Sequence, residues 1–180
     1  MDTFYAYHVV TERPMYVGQH IFFDAEHPSG VYTRVMSKLE IVKDIYENPR
    51  NYEDKELEYP IEVALRELAL EEVRKEEFPQ YPSRMGCLYV SEHLQEAIQW
   101  ADYFIGLGRP TFAIVKLCIR GRYFIGDASK CFDGTTNREE NLRMARCYWE
   151  NKPNPDGQPS IKEYLVDGDI EVVEIIKEYI

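Results

Sequence analysis

Cysteine and histidine are scarce. The four cysteines, at 87, 118, 131 and 147, are spaced 31, 13 and 16 apart with no CxxC pair. The four histidines, at 8, 20, 27 and 93, do not complete a ligand set, so neither a zinc site nor a disulfide framework is expected. Cys87 and Cys118 lie inside apolar strand-like runs and read as small buried hydrophobes. No GxGxxG follows the first strand-like run and no GxxxxGK[ST] occurs, which removes the Rossmann and P-loop phosphate sites. No apolar run approaches the roughly 18–20 residues of a membrane span. The chain opens MDTFYAYHVV, with an acid where a secretory leader carries bases. A cytoplasmic protein without membrane association is the expectation. Basic residues are outnumbered too: 21 Lys and Arg face 32 Asp and Glu, a formal net charge of −11. That field repels nucleic-acid backbones and argues against a general duplex binder.

What is present is a globular mixture, 44% hydrophobic, 13% aromatic and 29% charged over 180 residues, which suits one domain over 1–180. FYAYHVVT (4–11) and YVGQHIFF (16–23) read as two early strands. Pro28-Ser29-Gly30 then opens one amphipathic helix with Val31, Val35, Leu39, Val42 and Tyr46 on a stripe, ending in a break at 48–51. A second helix runs from about Glu58 to Lys75 on Ile61, Leu65, Leu68, Ala69 and Val73, with its acids on a solvated face. After the turn-rich 78–86, the strand CLYVS passes directly into a helix carrying Leu94, Ala97, Ile98, Ala101 and Ile105, with Ser91 as the expected N-cap. TFAIVKLCI (111–119) and RYFIG (122–126) are two more strands. Thr136-x-x-Glu139 reads as a capping box opening a helix through about Trp149. A loop at 151–159 precedes EYLV (163–166), Gly168 and IEVVEIIK (170–177), a closing β-hairpin. Strands with single helices between them make an α+β fold.

Charge is unevenly distributed. Residues 53–77 hold ten acids and four bases, whereas 116–152 hold eight bases and five acids. Arg143 and Arg146, three apart on one helix, are therefore candidates to meet phosphates.

Three segments carry chemistry: a histidine late in the first strand, AYHVV; a tyrosine on a strand leading into a helix, LYVSEHLQEAIQWA; and a glutamate opening the last strand pair, KEYLVDGDIEVVEI. Together they resemble the ADP-ribosyltransferase superfamily in its His-Tyr-Glu class, which includes diphtheria-toxin-like enzymes and poly(ADP-ribose) polymerases, and in particular a bacterial branch of it. The likeness covers about 45 residues directly, while 24–80 and 127–160 match nothing in the family pattern. It implies a split β core of two packed, mostly antiparallel sheets flanked by helices.

The same resemblance implies that NAD is the co-substrate. His8 would hydrogen-bond its adenosine ribose, and the backbone of Val9 would meet the nicotinamide amide, although most relatives carry Gly there. Tyr89 would stack on the nicotinamide ring with Trp100, eleven residues later, as the second face, at roughly 1–2 kcal/mol per face. Ala97 stands where the polymerases carry a serine that bonds the carboxamide. Arg13, past the first strand, would approach the pyrophosphate. Glu163 is the expected catalytic residue, because a carboxylate in a poorly hydrated cleft holds the ribose and stabilises the positive charge that develops as the glycosidic bond breaks. Ile161 occupies the place where arginine-directed relatives carry an acid or amide, which points away from arginine as acceptor.

The resulting expectation is an NAD-dependent mono-ADP-ribosyltransferase acting on a protein or single-stranded nucleic-acid target, as a toxin or defence factor with a possible neutralising partner protein. The alternatives are a catalytically inactive NAD- or ADP-ribose-binding module, a transferase or phosphotransferase on single-stranded nucleic acid, and a plain interaction domain. No metal site is expected.

Overall fold

Residues 3–179 are described by a computed structural model. The elements in chain order are β1 (Thr3–Val10), β2 (His20–Ile21), α1 (Gly30–Met36), α2 (Leu39–Glu47), α3 (Tyr59–Glu77), β3 (Leu88–Val90), α4 (Leu94–Gly106), β4 (Ala113–Arg120), β5 (Tyr123–Asp127), α5 (Arg138–Glu150), β6 (Lys162–Val166) and β7 (Asp169–Glu178). The fold is α+β, with a four-stranded sheet ordered β1-β4-β7-β2 and a three-stranded sheet ordered β3-β6-β5. The pairings β1–β4, β4–β7, β2–β7 and β3–β6 are all antiparallel.

Several expectations are corrected locally. The strand expected over 16–23 is reduced to His20–Ile21, because Tyr16–Gln19 is a turn in which Gly18 takes φ +86°. The single helix expected after residue 30 is two helices. Ser37 and Lys38 interrupt it, and the amphipathic stripe resumes at Leu39. α5 is capped by Asn137, whose side chain accepts from the Glu140 N–H, rather than by Thr136. The expected closing hairpin does not form either: β6 belongs to the three-stranded sheet and β7 to the four-stranded one.

That switch repeats between β4 and β5, which are also consecutive in sequence and in different sheets. The two corners touch through glycines. Gly168 has φ +103°, and a Cβ there would lie 2.5 Å from the Arg120 carbonyl oxygen; a Cβ on Gly121 would lie 1.8 Å from that of Asp167. Only glycine permits this backbone approach. Asp167 ties the corners by accepting from the Arg122 side chain at 2.6 Å.

The chain divides into two compact units. The first comprises Met1–His27, Cys87–Phe124 and Glu163–Ile180; the second comprises Pro28–Gly86 and Ile125–Lys162. In the first, Ala6, Val10, Val90, Val115, Leu117 and Ile170 belong to one apolar cluster, while Val9, Ala97, Ala101 and Ile114 form another beside α4.

In the second unit, α3 carries Ala64 and Leu65 into a cluster with Val35, Val42 and Ile45 of α1 and α2. Its acids are not all solvated as expected. Glu67 is buried and bonded by Arg84 at 3.0 Å and Arg66 at 3.1 Å. Arg84 also donates to the Tyr148 hydroxyl at 2.8 Å. A lone charge there would be costly, and the arginines offset that cost.

Candidate functional site

The three residues singled out by resemblance, His8, Tyr89 and Glu163, all fall in the first unit, on β1, β3 and β6. β1 meets the end of β3 through a reciprocal pair: the Tyr7 N–H donates to the Ser91 carbonyl at 2.9 Å and the Ser91 N–H to that of Tyr7 at 2.7 Å. This joint keeps Ser91 extended, so it is a bridge residue and not the cap of α4. His93 takes that place in a capping box with Glu96.

The joint brings His8 to Tyr89. The imidazole Nδ1–H donates to the Tyr89 carbonyl at 2.7 Å, across 81 positions of sequence. That bond selects the tautomer and leaves Nε2 as an acceptor. Burial pushes the His8 pKa below its ordinary value, and the Arg109 charge acts in the same direction; the Tyr89 carbonyl and Glu12 only partly oppose them. His8 is therefore neutral at pH 7.

Tyr89 pairs with Leu165 of β6, and Val90 with Tyr164. The next step of that register sets Ser91 against Glu163. Alternation puts Val90 and Tyr164 on one face, within the core cluster, and Tyr89, Ser91, Leu165 and Glu163 on the other. Tyr89 and Glu163 are thus diagonal neighbours, about 7–8 Å apart by Cα, within reach of long side chains. Tyr89 keeps 38% of its surface exposed. Burial first, and the nearby Glu92 charge second, push the Tyr164 pKa up to about 12.

Backbone direction matters at Val9. Tyr7 turns its N–H and C=O toward Ser91, and in an extended strand every second residue turns the same way. Val9 therefore directs both groups toward the side of β1 away from β4, where the antiparallel register set by Tyr7 and Ser91 leads it toward Tyr89. Its side chain is buried in the α4 cluster, so the branched group points away from that edge.

The remaining expected residues are placed differently. Trp100 packs on the α4 cluster, edge-on to Tyr103 with centroids 5.8 Å apart and tilted against Phe104 at 5.7 Å. Ala97 is fully buried in the same cluster. Arg13 is exposed in the turn after β1. Arg143 and Arg146 are engaged by carboxylates, Glu140 at 2.5 Å and Glu77 at 2.7 Å, and Arg138 pairs with Glu72. These bases neutralise acids of α3 and α5 instead of forming a free anion-binding row.

Two residues escaped sequence reading. Asp127 accepts from the backbone N–H groups of Ser129, Ser160 and Ile161 and from the side chains of Ser129 and Asn154. Burial raises its pKa, but these donors outweigh burial and hold it well below the carboxylate range. It thereby fixes the backbone just before β6. Arg109 is the other; its only sequence signal was a Gly-Arg-Pro turn after a helix.

Among the described residues no helix is long and apolar enough to cross a membrane, and no cluster of three or more His, Cys, Asp or Glu side chains is arranged to hold a metal ion. No curated protein matches the chain. Residues 6–178 match the family described as a protein of unknown function, DUF2441, and since that match spans nearly the whole chain, the protein belongs to this family.

Proposed function

We propose that the protein is an NAD-dependent mono-ADP-ribosyltransferase whose fold is of the ADP-ribosyltransferase type. The observation that carries this reading is the hydrogen bond from His8 Nδ1 to the Tyr89 carbonyl, together with the pairing of the Tyr89 strand to the strand of Glu163. A chance set of three residues has no reason to lie on three laterally joined strands.

NAD supplies a glycosidic bond whose cleavage leaves its electron pair on the nicotinamide nitrogen, while ribose C1′ bonds to the acceptor nucleophile and the nucleophile's proton passes to solvent. The residues of this chain then have distinct tasks. Neutral His8 offers Nε2 to a ribose hydroxyl. Val9 offers one N–H and one C=O, the complement of a carboxamide. Tyr89 offers a ring face to the cationic pyridinium. The Glu163 carboxylate holds the ribose and stabilises positive charge that exists only in the transition state. The acceptor is a protein or single-stranded nucleic acid.

The decisive experiment is mass-spectrometric detection of nicotinamide released from NAD, with purified protein alone and with cell lysate. Wild type releases nicotinamide, and Glu163→Gln lowers the rate about 10²–10³-fold while leaving the circular-dichroism spectrum unchanged. Equal rates in the two proteins sink the assignment of Glu163. One observation favours the second reading, a catalytically inactive NAD- or ADP-ribose-binding module: Ala97, at the position of the carboxamide-binding serine, is sealed in the core. NAD binding with no release under any condition selects it.

A further inference from the structure

In a chain with 11 more acids than bases, arginines readily find carboxylates. Arg74, Arg84, Arg120, Arg122, Arg143 and Arg146 all do. Arg109 forms no ion pair among the described residues, yet it is well anchored. Its guanidinium lies 4.8 Å from the centroid of the Phe104 ring. The Arg109 backbone N–H donates to the Phe104 carbonyl at 2.9 Å, and the Arg109 carbonyl accepts from the Thr111 hydroxyl at 3.1 Å. The following residues are tied on both sides: the Phe112 N–H donates to the Val10 carbonyl and its carbonyl accepts from the Tyr179 N–H, both at 2.8 Å.

These anchors place the cation beside the candidate site. Phe104 packs in the cluster that contains Val9, and Phe112 is bonded to the residue after Val9. A guanidinium seated over a ring still has N–H groups to offer, and their planar fork suits phosphate oxygens. Arg109 is exposed and weakly hydrated compared with an ammonium, so it can exchange water for an anion without first breaking a salt bridge.

We infer that Arg109 is a phosphate-binding residue of this site, contacting a dinucleotide whose carboxamide end lies at the Val9 edge. The inference rests on the NAD reading above and adds the residue that anchors the anionic half of the ligand.

The test is isothermal titration of the full chain with NAD, ADP-ribose, ADP and nicotinamide, using wild type, Arg109→Ala, Arg109→Lys, Arg13→Ala and Arg50→Ala. The last removes one positive charge from the second unit and serves as the charge control. Arg109→Ala weakens the three phosphate ligands about 10–100-fold and leaves nicotinamide binding unchanged. Arg109→Lys retains part of the affinity, and Arg50→Ala binds as wild type does. Independently of any ligand, the NMR titration midpoint of the His8 imidazole rises in Arg109→Ala, since a nearby cation has been removed while Glu12 remains.

Arg109-dependent ADP binding without nicotinamide release upholds the phosphate site and sinks only the transfer reading. Nicotinamide release with NAD affinity unchanged in Arg109→Ala overturns the inference and leaves the transfer reading standing. A loss confined to Arg13→Ala overturns it too, and so does the absence of binding by wild type to every phosphate ligand.

Discussion

The two units differ in how deeply they bury paired charge. In the second, charges are closed on one another: Glu67 with Arg84 and Arg66, and Glu71 with Arg74 and Ser83. Trp149 spends its indole N–H on the Leu70 carbonyl at 2.8 Å. In the first, the pairs Arg120–Asp169 and Arg122–Asp167 are partly exposed, and the groups of the candidate site are fixed on one side and open on the other. His8 is held through Nδ1 with Nε2 remaining, Val9 turns its backbone outward, and Arg109 is stacked but not ion-paired. Satisfied networks build a scaffold, whereas half-satisfied and well-anchored groups are what a ligand can use. The segments that match nothing in the family resemblance, 24–80 and 127–160, fall almost wholly in the second unit, while His8, Val9, Tyr89, Arg109 and Glu163 fall in the first.

The largest effect expected from this contrast is on stability. Arg84→Leu leaves the buried Glu67 carboxylate under-compensated and costs about 3–5 kcal/mol, read from urea unfolding. The double variant Glu67→Leu/Arg84→Leu recovers most of the loss. By contrast, the half-exposed Arg120–Asp169 pair of the first unit contributes under about 1 kcal/mol. Comparable losses at the two pairs would erase the distinction.

A smaller effect is expected at the corner of the first unit. Gly168→Ala forces a side chain into a left-handed conformation and against the Arg120 backbone, at about 2–4 kcal/mol for strain and overlap together. Thermal melting checks it, and an unchanged midpoint would mean that the two corners are free to separate.

The smallest effect separates the units by pH. The folded His8 pKa lies below its ordinary 6.5, so just below pH 6.5 the unfolded chain binds a proton that the folded chain refuses. Stability contributed by neutral His8 is present above 6.5 and is lost as pH falls toward the folded value. Glu67 and Glu71 behave differently. Burial raises their pKa values, but their arginine partners, with Ser83 also bonding Glu71, outweigh it and hold both below 4.5. Their contribution is present above 4.5 and lost in more acidic solution. Each unit carries one tryptophan, Trp100 in the first and Trp149 in the second. Urea midpoints followed by Trp100 fluorescence in Trp149→Phe should weaken first on acidification, and His8→Gln should flatten that limb. A single limb common to both reporters would refute the separation.

Much of the first unit was legible. β4 and β7 are runs of β-branched residues, and the stripe of α4 repeats at helical spacing, because burial of one face selects those patterns directly. The errors have specific physical origins. Ser91 looked like a cap because serine often is one, but its backbone was already committed to Tyr7. β6 and β7 looked like a hairpin because a glycine joins them; the pairing was decided by the close approach of Gly121 and Gly168, two positions 47 apart in sequence. Arg109 was invisible because nothing in a Gly-Arg-Pro turn shows that its partner is a ring five residues earlier and not an acid.

Local chemistry therefore determined the mixed α+β class, most of the strands and helices and the absence of the common phosphate loops. Those properties depend on period, size and charge over a few residues, which a sequence states openly. Tertiary structure decided which strands share a sheet, which arginines are neutralised, which way Val9 faces its backbone and which nitrogen of His8 is held. Each depends on a partner distant in sequence, and the long-range packing of apolar faces selects that partner.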